Sequence, residues 1–291
     1  MKTGSFVHLI AVPYDSARRG ERMGAGPEKL MPLLHDRLRD ARHRVQCVTI
    51  DAPAQSWRAE IGTAFDLARA VARAVRVARN ASAFPLVLSG NCGPAAIGCV
   101  AAAETDGAVF WFDAHGDLNT PDTTIGGFLD GMALATVTGR CWPQLARRVD
   151  GFRPVNDRHV ALVGARDLDP LEAVVLETSR IQHVTPASFG PELSAAVGSI
   201  AERCVGAYLH LDLDVLDPSE GRVNVYSAPG GLSRDDVRWA IDEITRNFYL
   251  VSASMTAFEP ATDTDGRALD AALALGLAIV EAAPGVDPEP D

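Results

Sequence analysis

Three groups of acidic residues each come at the end of a short apolar run that predicts a buried strand. They are Asp113-Ala114-His115-Gly116-Asp117, Asp212-Leu213-Asp214 and the single Glu259. Side chains at alternate positions of an extended chain project to one side, so Asp113, His115 and Asp117 are expected to converge. The same holds for Asp212 and Asp214. Carboxylates with imidazole, and no thiolate majority, favour Mn²⁺ or a similar cation over a structural zinc. The spacing therefore predicts a pair of divalent cations in one crevice.

Each acid on its own also has a structural explanation. Aspartate at the end of a strand often caps a helix or starts a turn, and a single histidine in a strand is usually a core residue. Several uncompensated carboxylates packed together, however, repel one another strongly. Two such clusters at strand ends are therefore better explained by bound cations than by capping alone.

The composition argues against several classes of protein. The formal net charge of −11 over 291 residues disfavours binding to nucleic acid and to anionic membranes. No window is apolar for the length of a membrane span, and no apolar leader precedes the first strand-like run. The five cysteines are an odd number and lack CxxC spacing, which argues against a disulfide framework or a zinc knuckle. We therefore expect a cytoplasmic protein that acts on a small molecule.

Strand-like apolar runs alternate with segments of helical periodicity along the chain. The runs occupy 6–12, 45–50, 84–89, 107–113, 159–164, 181–185, 206–213 and 249–258. Helical periodicity is found between them, for example over 60–80, 94–103, 189–203, 233–247 and 266–281. This alternation predicts an α/β fold with a mostly parallel sheet of about eight strands, covered by helices on both faces. We expect a single domain over 1–283 and a disordered, acidic, proline-rich tail over 284–291.

Two of the acidic motifs resemble those of the ureohydrolases, the family of arginase and agmatinase. The segment from Asp113 to Pro121 resembles the second metal motif of that family, and the segment from Asp212 to Pro218 resembles the third. The resemblance implies the three-layer α/β/α, arginase-like fold, a dinuclear manganese centre and a possible homo-oligomer. It also implies that Asp113, His115, Asp117, Asp212 and Asp214 hold the cations, with Asp113 and Asp212 bridging both.

The resemblance implies roles for five residues toward the substrate. Asp117 and Glu259 would be catalytic, the first by relaying a proton and the second by binding the guanidinium group. Asn119, Asp169 and Glu172 would bind the amino-acid end, which favours an α-amino acid over decarboxylated agmatine. Asp169 also precedes a proline and suits a helix N-cap, so a structural role stays open for it.

Three positions depart from the ureohydrolase pattern. Cys92, in Ser89-Gly90-Asn91-Cys92, stands where the family has a histidine ligand. Asp130 replaces a histidine that shuttles protons in arginase, and Tyr226 replaces a threonine near the guanidinium group. Cys92 is either a ligand or a small buried apolar residue. As a ligand, its soft thiolate would match Mn²⁺ poorly, so the neighbouring cation should bind more weakly. Asp130 either assists protonation of the product or is an exposed turn residue.

A weakened cation and a missing proton shuttle favour a substrate that is less basic than arginine. In an N-hydroxylated guanidine the oxygen withdraws electron density, which lowers the basicity and makes the carbon more electrophilic. The pattern is similar to that of the hydroxyarginine amidinohydrolase of D-cycloserine biosynthesis, a ureohydrolase with a cysteine at this position. The implied reaction converts Nω-hydroxy-L-arginine and water to L-ornithine and hydroxyurea. The alternatives are an ordinary ureohydrolase acting on arginine or another guanidino or formimino compound, a single-metal deacylase, and a non-catalytic homologue.

Overall fold

The computed structural model describes residues 4–53, 59–103 and 107–283. The strands are β1 Phe6–Val12, β2 Tyr14–Asp15, β3 Arg18–Arg19, β4 Arg44–Thr49, β5 Phe84–Ser89, β6 Ala108–Phe112, β7 Val160–Val163, β8 Gln182–Val184, β9 Gly206–Asp212 and β10 Tyr249–Thr256. The α-helices are α1 Gly26–Asp40, α2 Glu60–Asn80, α3 Cys92–Ala103, α4 Ala133–Val137, α5 Pro143–Ala146, α6 Pro170–Thr178, α7 Phe189–Ala201, α8 Arg234–Thr245 and α9 Arg267–Ala282.

Eight of the strands form one parallel sheet in the order β4-β1-β5-β10-β9-β6-β7-β8. The strands β5, β6, β9 and β10 are buried along almost their whole length because helices cover both faces, and this burial explains their nearly continuous apolar sequence. The short strands β2 and β3 pair separately as an antiparallel hairpin. The predicted α/β fold with eight parallel strands is confirmed.

Helices cover each face of the sheet and enclose a separate apolar core. On one face, α1, α7, α8 and α9 contribute buried side chains such as Leu34 and Ile241. On the other face, α2 and α3 pack through side chains such as Val71 and Ile97. The apolar positions of α2 recur every three or four residues, which places them on the stripe that faces α3 and the sheet. The result is the predicted three-layer α/β/α arrangement.

The register of the central strands brings their carboxyl ends to one level. Thr256 at the end of β10 lies opposite Ser89 of β5 on one side and Asp212 of β9 on the other. On the far side of β9, Phe112 of β6 lies opposite Leu211. Residues that follow these four strands therefore meet at one edge of the sheet, where ligands bind in open α/β folds.

Two further expectations concern the ends of the chain and membranes. The predicted tail over 284–291 lies outside the described residues. Among the helices that are described, none is both long and apolar enough to cross a membrane.

Candidate metal and substrate site

A cavity of about 220 Å³ opens at the carboxyl ends of the central strands. Its wall contains nine of the ten predicted site residues: Cys92, Asp113, His115, Asp117, Asn119, Asp169, Glu172, Asp212 and Asp214. The tenth, Glu259, is buried just after β10 but is not one of the described residues that line this cavity. Asp130 and Tyr226, at which the sequence departs from the ureohydrolase pattern, lie on the same wall.

The turn that follows β6 brings Asp113 and His115 together. The chain leaves strand conformation after Phe112, and Asp117 adopts a left-handed backbone with φ of +51°. The predicted reason for convergence, an extended segment with alternating side chains, was therefore wrong. Instead, Asp113 Oδ1 accepts a hydrogen bond from the backbone N–H of His115 at 2.8 Å and lies 3.2 Å from His115 Nδ1. A local turn places both side chains in the cavity.

The first turn of α6 is tied to the same loop by Glu172. Its carboxylate accepts hydrogen bonds from the backbone N–H groups of Leu118 at 2.7 Å and Asp169 at 3.3 Å. Gly116 makes this approach possible, since a Cβ there would lie 2.6 Å from Glu172 Cδ. Asp169 is the N-cap residue of α6 and accepts a hydrogen bond from Asn119 Nδ2 at 3.0 Å. The predicted substrate-binding residues thus also hold the loop and α6 together.

A short 3₁₀ turn, Leu213–Val215, positions the two acids at the end of β9. Asp212 Oδ1 accepts the hydrogen bond of the Asp214 backbone N–H at 2.8 Å, which caps this turn. Asp214 Oδ2 accepts a hydrogen bond from Asn224 Nδ2 at 3.2 Å, and its Oδ1 accepts one from the backbone of Ala114 at 3.2 Å. Asp212 therefore does cap this turn, but only with Oδ1, whereas Oδ2 accepts hydrogen bonds from Cys92 and Thr256.

Arg166 fastens the turn that carries Asp214. Its guanidinium group donates hydrogen bonds of 2.7–3.3 Å to six backbone carbonyl oxygens, those of Gly164, Asp214, Val215, Leu216, Ala228 and Pro229. A Cβ on Gly231 would lie 2.6 Å from Arg166 Nη2, so glycine is needed where the guanidinium passes. Arg166 therefore positions Asp214 through the main chain.

Cys92 is the first residue of α3 and its thiol points into the acid cluster. Sγ lies 3.1 Å from Asp212 Oδ2 and 3.2 Å from Thr256 Oγ1. Asp130 holds this end of the helix, since its carboxylate accepts hydrogen bonds from the backbone N–H groups of Cys92 and Gly93 at 3.0 Å each. An acid is favourable at a helix N-terminus because it satisfies free N–H groups and complements the helix dipole. Asp130 is buried, so the alternative of an exposed turn residue is wrong.

The site concentrates negative charge in a buried space. Burial raises the pKa of Asp113, Asp117 and Asp212, and the charges of neighbouring carboxylates raise each pKa further. Burial opposes the charged form of His115, but its hydrogen bond with Asp113 and the charge of Asp214 prevail and raise its pKa to about 9. Asp117 Oδ2 is buried and has no hydrogen-bond partner among the described residues. Such a cluster fits a bound cation, which would neutralise the acids and occupy their free lone pairs.

One group of donor atoms is already arranged for a single cation. Ligand atoms of Asp113, His115 and Asp214 all lie within 4.8 Å of one another. Oxygen and imidazole donors of this kind suit Mn²⁺. Cys92 and Asp212 lie directly beside this group, so the residues present are compatible with a second cation as well.

The mouth of the cavity is aromatic, and the guanidinium group of Arg22 lies beside it. Tyr226 stacks on Phe128 with ring centroids 5.6 Å apart, and its hydroxyl accepts a hydrogen bond from Arg22 Nη2 at 2.7 Å. The pKa of Arg22 is raised chiefly by this hydrogen bond. Tyr226 is 37% exposed, which places it at the rim.

Three residues that shape the site had no role predicted from the sequence. Asn224 and Arg166 hold Asp214, but their partners lie far along the chain and give no local signal. His210 was read as part of an apolar run, although it lies two residues before Asp212 on the same face of β9. Burial lowers the pKa of His210 to about 3, so its ring is neutral. The alternation along β9 was the signal that could have identified it.

A three-layer α/β/α fold with carboxylates and imidazole gathered at the ends of its central strands is the architecture of a ureohydrolase. The chain belongs to the arginase family: its sequence matches the profile described as "Arginase family" over residues 6–282. It is a hydrolase of the amidinohydrolase type that acts on a guanidino group, and this family depends on a binuclear manganese centre.

Individual relatives agree with this assignment. The chain is 29% identical to an arginase of Bacillus caldovelox, over 92% of this chain and 96% of that protein. It is 28% identical to an arginase of Bacillus subtilis, over 88% of this chain and 91% of the relative. A crystal structure of arginase from Bacillus subtilis superimposes with a TM-score of 0.85 at 26% identity, covering 94% and 98% of the two chains. The predicted family and enzyme class are confirmed, whereas hydroxyarginine as the substrate stays a prediction.

Proposed function

We propose that this chain hydrolyses Nω-hydroxy-L-arginine to L-ornithine and hydroxyurea with the help of two bound Mn²⁺ ions. The observation that carries the proposal is the thiol of Cys92, 3.1 Å from Asp212 Oδ2, at the position where the ureohydrolase motif has a histidine. Cys92 lies at the edge of the apolar core beside α3, and its thiol is within hydrogen-bonding distance of Asp212 and Thr256, which supports a role toward the cation.

The acids and His115 would hold the two cations. Asp113, His115 and Asp214 would bind one of them, and Cys92, Asp117 and Asp212 the other, with Asp113 and Asp212 shared between both. When bound, the cations supply a nucleophile by lowering the pKa of water. The acid cluster requires such a partner because the acids are buried and the charge of each raises the pKa of its neighbours.

The chain's own residues would orient the substrate and move its protons. Asp117, whose Oδ2 is buried without a partner, would accept a proton from the attacking water. The new bond joins the water oxygen to the guanidino carbon, and the bond from this carbon to the side-chain nitrogen of the amino acid then breaks. Asp117 would return the proton to that nitrogen, which leaves as the amine of ornithine. Glu259 lies behind the cavity wall, with Oε2 buried and without a hydrogen-bond partner among the described residues. It would bind the hydroxyguanidine group by charge-assisted hydrogen bonds once its side chain turns toward the cavity.

Binding of the amino-acid end would fix the position of the reacting carbon. Asn119 and Asp169 lie on the cavity wall and hydrogen-bond to each other at 3.0 Å, so their polar atoms are held for an incoming ammonium or carboxylate group. Glu172 lies on the same wall beside them. Such positioning lowers the entropic cost of reaching the reactive geometry.

Two features favour the hydroxylated substrate over arginine. A thiolate matches Mn²⁺ less well than imidazole, so the cation beside Cys92 would activate water less strongly. Asp130 uses both carboxylate oxygens to cap α3, which supports a positioning role rather than the shuttling of protons. A hydroxyguanidine is less basic and its carbon more electrophilic than that of arginine. It therefore requires less activation.

Arginine is the second candidate substrate, because the relatives from Bacillus carry the name arginase. Initial rates with each compound separate the two candidates. The Mn²⁺-loaded chain should give kcat/KM for hydroxyarginine at least about tenfold above that for arginine, equivalent to about 1.4 kcal/mol of transition-state stabilisation. Mass spectrometry should identify the product as hydroxyurea.

A variant with an impaired metal site controls for contaminating activity. Asp113→Asn removes a carboxylate charge at the centre of the cluster and should abolish both activities together with most of the bound manganese. If the parent chain instead hydrolyses arginine as fast as hydroxyarginine, the chain is an arginase and the proposal is wrong.

A further inference from the structure

His210 lies beneath the acid cluster with one ring nitrogen unexplained. It is fully buried in β9, and its ring stacks on Trp111 with centroids 3.8 Å apart. Nε2 is buried without a hydrogen-bond partner among the described residues. Buried polar atoms are nearly always paired, so this nitrogen requires a partner that the described part of the chain does not supply.

The position of His210 identifies that partner. A ring nitrogen of His210, the sulfur of Cys92 and a carboxylate oxygen of Asp113 lie within 4.8 Å of one another. Bonds from transition metals to nitrogen and sulfur are about 2.0–2.3 Å long, so two donors on one cation are at most about 4.5 Å apart. The three donors are therefore close enough together to converge on one cation after a small adjustment of their side chains.

The other ring nitrogen is held in the manner of a metal-binding histidine. Nδ1 of His210 lies 2.9 Å from Ser254 Oγ and 3.0 Å from Tyr208 Oη. Histidines that bind metals usually donate the hydrogen of one ring nitrogen to a neighbouring group, which fixes the ring and leaves the lone pair of the other nitrogen free. With the hydrogen on Nδ1, Nε2 of the neutral His210 ring presents its lone pair.

We propose that His210 Nε2 is a ligand of the cation beside Cys92, so that β9 supplies the imidazole that the start of α3 lacks. This inference rests on the proposed metal centre but not on the identity of the substrate. Each cation site would then combine one imidazole with carboxylates and share Asp113, and the thiolate of Cys92 would still distinguish the weaker site from the other. We also expect Co²⁺ and Zn²⁺ to bind more tightly at the site with Cys92 and His210 than at the site formed by Asp113, His115 and Asp214. The reason is that sulfur and nitrogen donors suit these two metals.

The decisive variant leaves His210 in place and removes the other imidazole. His115→Asn should abolish the site formed by Asp113, His115 and Asp214, and leave the full-length chain with a single Mn²⁺ beside Cys92. Pulsed electron paramagnetic resonance of this Mn²⁺ should detect ¹⁴N of a directly bound imidazole. A Mn²⁺ signal without that coupling would overturn the inference.

A second variant tests the contribution of His210 to affinity. His210→Asn retains an amide nitrogen near the position of Nδ1, so the contacts with Ser254 and Tyr208 can persist while Nε2 is lost. The affinity for the second equivalent of Mn²⁺, measured by competition with a chelator, should fall at least about a hundredfold, beyond the range found for residues that only orient a ligand. A change of less than about tenfold in a variant with an unchanged circular dichroism spectrum would assign His210 a structural role and refute the inference. Because neither experiment monitors hydrolysis, a failure of the substrate proposal would leave this result unaffected.

Discussion

Replacement of Arg166 by lysine tests how the turn that carries Asp214 is held. The guanidinium group donates to six backbone carbonyl oxygens at 2.7–3.3 Å, on segments as far apart in sequence as Gly164 and Pro229. Lysine keeps the charge but has fewer donors and no planar fork. About half of the contacts should be lost, and at about 1 kcal/mol for each hydrogen bond the free energy of unfolding should fall by about 3 kcal/mol.

Two measurements on the same Arg166→Lys preparation check this estimate. Thermal unfolding of the metal-free protein should show a Tm lower by about 5 °C, the shift expected for about 3 kcal/mol in a chain of this size. Manganese per chain, measured by elemental analysis of the folded protein, should also fall because Asp214 loses its fixed position. Arg246→Lys is the matched control, since the Arg246 side chain is 60% exposed, and should change stability by less than about 0.5 kcal/mol. An Arg166→Lys variant as stable as this control would refute the argument.

Three further predictions concern specificity and pH. Cys92→His should increase the number of Mn²⁺ ions per chain and raise the rate with arginine relative to hydroxyarginine, because imidazole suits Mn²⁺ better than thiolate does. If neither the Mn²⁺ stoichiometry nor the rate ratio changes, Cys92 is a purely structural residue. Asp169→Ala should lower kcat/KM for the amino acid by about ten- to two-hundredfold, but should have little effect on kcat/KM for an analogue without the α-amino group. If kcat/KM falls equally for both compounds, the role of Asp169 is limited to capping α6. Arg140 donates hydrogen bonds of 2.8 and 2.5 Å to Asp157 and lowers the pKa of that carboxyl group. The ion pair therefore stabilises the fold at a pH above 3.8, the ordinary pKa of the carboxyl group. This contribution to the free energy of unfolding is lost as the pH falls below 3.8. Arg140→Gln should therefore cost about 1 kcal/mol in urea unfolding at neutral pH and much less below that pKa, whereas a pH-independent difference would contradict the assignment.

The sheet could be predicted closely because its strands are buried on both faces. Such strands are continuous apolar runs, and their predicted ends differ from the observed ends by two residues at most, as in 249–258 against Tyr249–Thr256. The amphipathic α2 was predicted with the observed bounds, since an apolar stripe on a polar helix is visible in the sequence. Helix α1 was not predicted, because Pro32 interrupts its pattern, although Leu30, Leu34 and Leu38 form an apolar stripe on one side.

The site could be predicted only as far as strand ends determine it. Asp113 and Asp212 meet because their strands β6 and β9 are neighbours in register, which a parallel sheet makes predictable. The turn geometry after β6, with the positive φ of Asp117, follows from contacts with Glu172 more than fifty residues away. The capping of α3 by Asp130 likewise joins segments 38 residues apart. Such long-range hydrogen bonds leave no periodic signal in the sequence.

We propose that this member of the arginase family prefers a hydroxylated guanidine to arginine. An equimolar mixture of L-arginine and Nω-hydroxy-L-arginine, incubated with the Mn²⁺-loaded chain and analysed by mass spectrometry at low conversion, tests it most directly. The ratio of hydroxyurea to urea equals the ratio of the two kcat/KM values, whatever the concentration of active sites. We expect hydroxyurea to exceed urea by at least about tenfold, the difference that about 1.4 kcal/mol in transition-state binding produces. Urea in equal or greater amount would contradict the claim and identify arginine as the substrate.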